Sequence, residues 1–287
     1  MITAELHAHV FMDGVDYKES VNRFKDGPDE RAIRSVLRTY QDKGISFVRD
    51  GGDHFGACLL AKRIADEYEI TYSIPVYALF RDGNYGRVAG VPYRDLTEYR
   101  ALISEAASQG ADFVKIMLSG ILDFNQFGVV TETDYTLPFA KELVHIAHEE
   151  GFAVMAHASG TECVRMAALA DADTIEHGYY MDEETMDILA QKDLIWVPTA
   201  VTGFNLIGTG RFDEQEVKRI ADAHLEAVAK AASKGVRIGC GSDAGAFSVL
   251  HGTGCLEEYA LLKNTIGPDA DRILEAAEKT VKAKFTK

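Results

Sequence analysis

The sequence has few cysteines, a shortage of positive charge and no long apolar run. Its four cysteines form no Cys-x-x-Cys pair, so neither a disulfide framework nor a thiolate zinc site is indicated. Against 45 Asp and Glu stand 30 Lys and Arg, and the formal charge of −15 would repel a phosphate backbone. No segment approaches a membrane span, and the first residues do not resemble a signal peptide. We therefore expect a soluble, cytoplasmic protein that binds neither nucleic acid nor membrane.

A repeating unit runs through all 287 residues, in which a short apolar segment precedes a segment whose apolar residues recur at helical spacing. The predicted strands are 2–10, 45–50, 70–79, 111–118, 152–157, 174–177, 194–198 and 236–243. Regular alternation with helices predicts a parallel sheet, and eight such units predict a closed (β/α)₈ TIM barrel. We expect a single domain over 1–287. An open doubly wound sheet is the alternative, but no Gly-x-Gly-x-x-Gly follows the first strand.

Two longer segments show no clear periodicity. The residues between His9 and Asp29 are polar and contain glycine, and those between Leu79 and Leu96 contain Gly83 and Pro92. Both are predicted to be loops.

Polar residues interrupt the apolar strands at equivalent places. Histidines alternate in the first strand and therefore share one face, a lysine lies within the fourth, and histidine or aspartate ends the fifth, sixth and eighth. These residues are His7, His9, Lys115, His157, His177 and Asp243. A single histidine in such a strand would ordinarily be a core residue whose ring nitrogens hydrogen-bond to other protein groups. Because barrel enzymes place their chemistry at the carboxyl ends of the strands, the whole set predicts a metal site at one mouth.

The motifs around these residues resemble those of the amidohydrolase superfamily over nearly the whole chain. In order they are ELHAHV, DFVKIMLSG, VMAHASG, TIEHG and GCGSDAG. The resemblance implies two divalent metal ions, usually zinc. It implies that one ion is held by His7, His9 and Asp243, and the other by His157 and His177.

The resemblance also implies that Lys115 bridges the two ions after carbamylation by CO₂. This is chemically coherent, because burial in an apolar strand lowers the pKa of a lysine and supplies the neutral amine that CO₂ needs. Two cations lower the pKa of a shared water and make it a nucleophile. Asp243 would pass the proton of that water to the departing amine.

Hydrolysis of an amide C–N bond, peptide-like or cyclic, is the activity that the resemblance implies. VKIMLSG and SDAG are most similar to the branch with prolidase-like dipeptidases, Xaa-Arg and Xaa-Lys carboxypeptidases and imidazolonepropionase. Three alternatives stay open. The same site could open a lactone, ester or phosphoester, a single metal could serve a deaminase or decarboxylase, or the barrel could bind metal without turnover. Lys115 argues against the single-metal alternatives, because a lysine has no evident use in an apolar strand unless it bridges two metal ions.

Departures from the family pattern concern substrate choice. Relatives carry a small β-sandwich beside the barrel, which we expect to be absent because the first strand begins at Ile2. The loop after the fourth strand reads Gly-Ile where relatives have Gly-Gly, and it continues with Asp123. The stretch VRD resembles the family's own, and Arg49 and Asp50 within it are predicted to support the scaffold.

Further residues are candidates for contact with a small-molecule substrate. His251 lies on a loop beyond the eighth strand, with an exposed loop histidine as the alternative, and Tyr179 and Tyr180 follow a predicted ligand directly. Arg81 and Arg87, after the third strand, could bind a substrate carboxylate, with a solvated loop charge as the alternative for each. The sequence identifies no particular substrate and leaves a homo-oligomer open.

Overall fold

A computed structural model describes residues 2–131 and 134–287. The strands in these ranges are β1 (Ala4–Ala8), β2 (Phe47–Asp50), β3 (Thr71–Ser73), β4 (Ala78–Arg81), β5 (Gly90–Tyr93), β6 (Val114–Met117), β7 (Val154–Ala158), β8 (Thr174–His177) and β9 (Ile195–Val197). The α-helices are α1 (Tyr17–Phe24), α2 (Glu30–Asp42), α3 (Ala57–Ile64), α4 (Leu96–Ser108), α5 (Leu137–Glu149), α6 (Thr161–Leu169), α7 (Glu183–Ala190), α8 (Val201–Phe204), α9 (Glu214–Ser233), α10 (Thr253–Ile266) and α11 (Ala270–Lys284). None of the helices in this part of the chain is long and apolar enough to cross a membrane.

The strands are parallel and lie in the orders β1-β2-β3 and β5-β4-β6-β7-β8-β9. The eighth barrel strand is the extended segment 236–243, which lies between β9 and β1 and so joins the two sheets. Ile238 forms a parallel bridge to Trp196 of β9, and the amide of Leu6 in β1 donates to the carbonyl of Cys240 at 3.2 Å. The amide of Asp112 donates to the carbonyl of Ile74 at 2.8 Å and links the remaining seam. The predicted (β/α)₈ barrel is confirmed.

The third predicted strand differs from the structure. Residues 70–79 form two strands, β3 and β4, because Pro75 between them has no N–H to give to a ladder. The predicted eighth strand makes only single bridges. A Cβ on its Gly241 would lie 2.8 Å from the amide nitrogen of His7, so the two backbones meet where a side chain would not fit. Helix α1 and strand β5 occupy segments that we predicted as loops.

Apolar side chains fill the lower barrel. Phe113 and Met155 pack there with Phe285, which follows α11 and plugs the amino-terminal end of the barrel. Leu6 of β1 belongs to the same cluster. The register of β1 against β2 shifts between Glu5 and Ala8, and such an irregularity re-aims the residues that follow it. Ala4 and Leu6 of β1 belong to this apolar cluster, whereas His7 in β1 and His9 just after it line the cavity described below.

Candidate metal centre

The six predicted ligands line one cavity of about 440 Å³ at the carboxyl ends of the barrel strands. They are His7, His9, Lys115, His157, His177 and Asp243.

A first group is formed by two histidines of the β1 segment and the aspartate that ends the eighth strand. Asp243 Oδ1 lies 3.4 Å from Nε2 of His7 and 3.6 Å from Nε2 of His9. One ligand atom from each of these residues lies within 4.8 Å of the others. The side chain of Asp243 is 17% exposed, more than either histidine, so it faces the cavity.

The second group consists of His157 and His177, whose ring centroids are 4.6 Å apart. The ring of His177 also lies 5.1 Å from that of His7, which joins the two groups into one centre. His177 is oriented by Thr199, whose hydroxyl is 2.8 Å from Nδ1. Nε2 of His157 donates to the carbonyl of Gly120 at 3.0 Å, and a metal bound through that nitrogen would replace this hydrogen bond.

Two of these residues have unusual backbones. His177 and Asp243 have φ values of 69° and 59°, in the left-handed region that side chains rarely adopt. In β8 this turn lets consecutive residues serve one site, since Glu176 faces the barrel interior and His177 faces the cavity. Strained backbone of this kind concentrates at functional sites.

The burial of Lys115 is not explained by any hydrogen bond within the described part of the chain. Its amine is buried in the barrel, and Nζ has no hydrogen-bond partner among the described residues. Burial lowers its pKa to about 8, although the carboxylates of Glu176 and Asp243 oppose the change. A buried unpaired amine is costly unless another group uses it.

The histidines are in the form that binds metal. Burial lowers the pKa of His9 to about 3 and of His157 to about 4, and it lowers the pKa values of His7 and His177 well below the usual range. Neutral imidazoles together with a carboxylate are the donors that a divalent ion such as zinc prefers. The donor set and the unpartnered amine of Lys115 fit a pair of bridged metal ions.

A buried charge network supports the histidines from below. Glu176 accepts from Nδ1 of His7 at 2.8 Å through one oxygen and from Arg49 at 2.9 Å through the other. Glu5 accepts from the amide and hydroxyl of Ser242, next to Asp243. We did not predict a role for either glutamate, although a carboxylate within an apolar strand is the signal that marks both.

The substrate candidates fall in different places. Tyr179 lines the cavity, its hydroxyl lies 3.0 Å from that of Thr202, and its ring stacks on His224. Tyr180 lies outside the cavity lining and packs against Phe127.

His251 requires a correction. It is buried outside the cavity, its Nδ1 lies 2.9 Å from the hydroxyl of Tyr40, and its Nε2 lies 2.8 Å from the carbonyl of Met12. With both ring nitrogens held by the protein, we assign it a structural role. Arg81 and Arg87 are likewise outside the lining, and each pairs with a nearby carboxylate.

The arginine that does line the cavity is Arg211, in the loop between α8 and α9. Its guanidinium lies 4.1 Å from the ring centroid of Phe247, which follows the eighth strand. We did not single out either residue, because a lone arginine in a loop of undetermined path carries no local signal.

A (β/α)₈ barrel that gathers four histidines, a buried lysine and an aspartate at one mouth has the architecture of a barrel metalloprotein. Comparison with known proteins identifies the particular family. Residues 4–277 match the model described as the Amidohydrolase family, and the chain belongs to that family.

Two curated relatives cover parts of the chain. Ochratoxinase of Aspergillus niger is 28% identical over 157 residues, which are 51% of this chain and 31% of that protein. An uncharacterised protein of Mycobacterium tuberculosis is 27% identical over 206 residues, 69% of this chain and 54% of that protein. The matches thus span about a third and about half of the relatives' lengths.

Solved structures share the fold. A Xaa-Pro dipeptidase with bound methionine superposes with a TM-score of 0.74 at 21% identity, covering 98% of this chain and 74% of that one. The A. niger ochratoxinase structure gives 0.74 at 20% identity, with 96% and 68% covered.

Gly51 offers a test of how strictly His9 is placed. A Cβ at Gly51 would lie 2.2 Å from Cε1 of His9, and the backbone φ there is not positive, so the effect of Gly51→Ala is steric. We expect a fall in metal affinity of about tenfold to hundredfold, the range seen when ligand orientation is disturbed. Titration with zinc against a chelating dye measures it.

The control for this variant is Gly44→Ala. Gly44 has φ +74° and open space around it, so alanine there should cost about 1 kcal/mol of stability. Its metal affinity should equal that of the unchanged protein. Equal affinities for all three proteins would show that the orientation of His9 does not matter.

Proposed function

We propose that this protein is a metal-dependent hydrolase that cleaves an amide C–N bond, with two divalent ions, zinc in the first instance, at the centre described above. The observation that carries the proposal is the buried, unpartnered amine of Lys115 among four neutral histidines. Membership of the Amidohydrolase family supports it. So does the name of the Xaa-Pro dipeptidase among the structural neighbours, which describes action on a peptide-like bond.

Each of the two groups of side chains would hold one metal ion. His7, His9 and Asp243 would hold one ion, and His157 and His177 the other. The neutral amine of Lys115 would add to CO₂ and release one proton, and the carbamate formed would offer two oxygens that share one negative charge in place of an unpaired nitrogen. Lys115 lines the same cavity as both groups, as a bridging ligand would have to.

Bound divalent ions supply a water nucleophile at neutral pH and polarise the scissile carbonyl. The chain supplies the proton transfer. Asp243 is the ligand that is open to the cavity, so its carboxylate can accept the proton of the attacking water and give it to the leaving nitrogen. The products are a carboxylic acid and an amine.

The function is tested with protein prepared with zinc and bicarbonate, on amides, lactones, carboxylic esters and phosphoesters. We expect hydrolysis of amides, and a loss of about a hundredfold to ten-thousandfold in kcat for Asp243→Asn, the usual contribution of a positioned acid–base group. Asp82→Asn, at an exposed aspartate paired with Arg87, is the control and should keep full activity. Turnover of lactones or phosphoesters without any amide would overturn the proposal.

A further inference from the structure

The geometry points to an N-acyl amino acid as the substrate class, with its carboxylate bound by Arg211, its acyl group in the apolar half of the cavity, and no free ammonium. This inference rests on the proposed amide hydrolysis and specifies which amides fit. Three observations on the described residues carry it: an arginine in the lining that pairs with none of their carboxylates, an apolar lining away from it, and no lining carboxylate besides Asp243.

Arg211 is the only cationic side chain besides Lys115 that lines the cavity in the part of the chain that the structure describes. It forms no ion pair with any carboxylate of those residues, and its guanidinium stacks on Phe247 with Phe212 nearby. A guanidinium that lies over a ring keeps the N–H groups at its edge available to other partners, and Arg211 is itself exposed. A planar fork of this kind matches a carboxylate, which it can bind through two parallel hydrogen bonds.

The opposite wall is apolar. Arg211 and Phe247 belong to the loops after barrel strands seven and eight, and these strands lie across the barrel from strands three and four. The loop after β4, on the far side, contributes Val88 and Ala89 to the lining. The loop after β6 adds Ile121 and Leu122, and its Phe124 extends to Phe212 beside Arg211. A molecule whose amide sits over the metal centre can therefore place a carboxylate on one side and an apolar group on the other.

The rim extends this apolar wall outward. Seven large hydrophobic side chains are exposed among the described residues, and all of them lie on loops, in helix α1 or in helix α8, in segments that follow barrel strands at this face. Two of them, Tyr17 and Ile121, also line the cavity. Exposed apolar surface that continues into a cavity is typical of a groove for an apolar ligand. The acyl group can therefore be longer than the cavity is deep.

An ammonium group would find no partner here. Asp243 is the only carboxylate that lines the cavity among the described residues, and it is assigned to the metal centre. The other polar groups there include the hydroxyls of Tyr85, Ser159 and Thr202, which suit a neutral amide better than a charge. A dipeptide would bury its free ammonium unpaired, whereas an N-acylated amino acid has none.

The test compares three substrates on the zinc-loaded protein: N-octanoyl-L-alanine, its carboxamide, and the dipeptide L-leucyl-L-alanine. We expect kcat/KM to be about tenfold to hundredfold higher for the acid than for the carboxamide, as a charge-assisted bidentate contact would give. The dipeptide should be the poorest of the three. Arg211→Met should abolish the preference for the acid, and Arg211→Lys should keep only part of it.

Arg219→Met is the matched control, because Arg219 stacks on Phe127 at the same 4.1 Å but lies outside the cavity lining. It should retain the preference of the unchanged protein. If Arg211→Met still prefers the acid, or if the dipeptide is cleaved faster than the N-acyl amino acid, the inference is wrong. Continued cleavage of the carboxamide by Arg211→Met shows that the centre itself still works.

Binding separates this inference from the proposed function. Calorimetric titration of the metal-free protein with N-octanoyl-L-alanine should show weaker binding to Arg211→Met than to Arg219→Met by a similar factor. If no amide is cleaved by any variant, the proposed function fails, and the calorimetry still decides on Arg211. Equal binding to both variants would overturn the carboxylate site whatever the activity.

Discussion

Lys115→Met is expected to lower the bound metal from about two ions per chain to one or none and to reduce amide hydrolysis by about a thousandfold or more. Methionine has a similar length and keeps the apolar contacts of the lysine stem, but it cannot form a carbamate. Elemental analysis of protein prepared with zinc and bicarbonate measures the metal. The stability of the metal-free protein should be unchanged or higher by about 1 kcal/mol, because the variant removes a buried amine without a partner.

Two further variants make this result specific. Lys115→Glu places a carboxylate in the barrel directly, so any metal that it retains should no longer depend on bicarbonate, whereas metal uptake by the unchanged protein should. Lys62→Met removes a lysine that pairs with Asp112 at 2.6 Å, away from the cavity, and should leave the metal content unchanged. Full metal content in Lys115→Met would exclude the carbamate bridge.

The six lining residues were predictable because each one violates a local pattern. A lysine or histidine in an otherwise apolar strand is visible without any tertiary information, and eight regular βα units fix the end of the barrel at which the strand ends meet. The same reasoning failed for His251, since its burial depends on Tyr40, 211 positions away along the chain. No residue close to His251 in the sequence indicates its contact with Tyr40.

The arginine that lines the cavity could not be predicted from the sequence, for a related reason. Arg81 ends β4 and Arg211 lies on a loop, both at the carboxyl face, yet Arg81 pairs with Asp134 at 2.8 Å while Arg211 lies over Phe247 and lines the cavity. Which loop arginine stays free is decided by long-range packing. Periodicity also cannot detect a break such as the one at Pro75, because the residues on both sides continue the apolar pattern.

Glu176→Gln is expected to weaken both the fold and the metal centre, since this carboxylate serves two partners. It accepts from Arg49, which is fully buried and also donates to the carbonyl of Leu6 and the hydroxyl of Thr174. Removing the charge of one partner leaves the guanidinium buried without a counter-ion, which typically costs about 3–5 kcal/mol. Urea denaturation of the metal-free protein measures this loss.

The effect on the metal centre follows from the tautomer of His7. Glu176 accepts from Nδ1–H of His7 at 2.8 Å, which leaves Nε2 unprotonated on the side of Asp243. A glutamine that keeps its carbonyl toward Arg49 turns its NH₂ toward Nδ1 and favours the proton on Nε2, where it blocks a metal. We therefore expect metal affinity to fall by about tenfold to hundredfold, measured by competition with a chelating dye.

The double variant Arg49→Met/Glu176→Gln separates the two effects. Without the guanidinium there is no unpaired buried charge, so stability should recover relative to Glu176→Gln alone. Metal affinity should not recover, because the amide still faces Nδ1 of His7. Recovery of both would mean that Glu176 acts on the centre only through the stability of the barrel, and recovery of neither would mean that Arg49 is held by its contacts to Leu6 and Thr174 and not by charge.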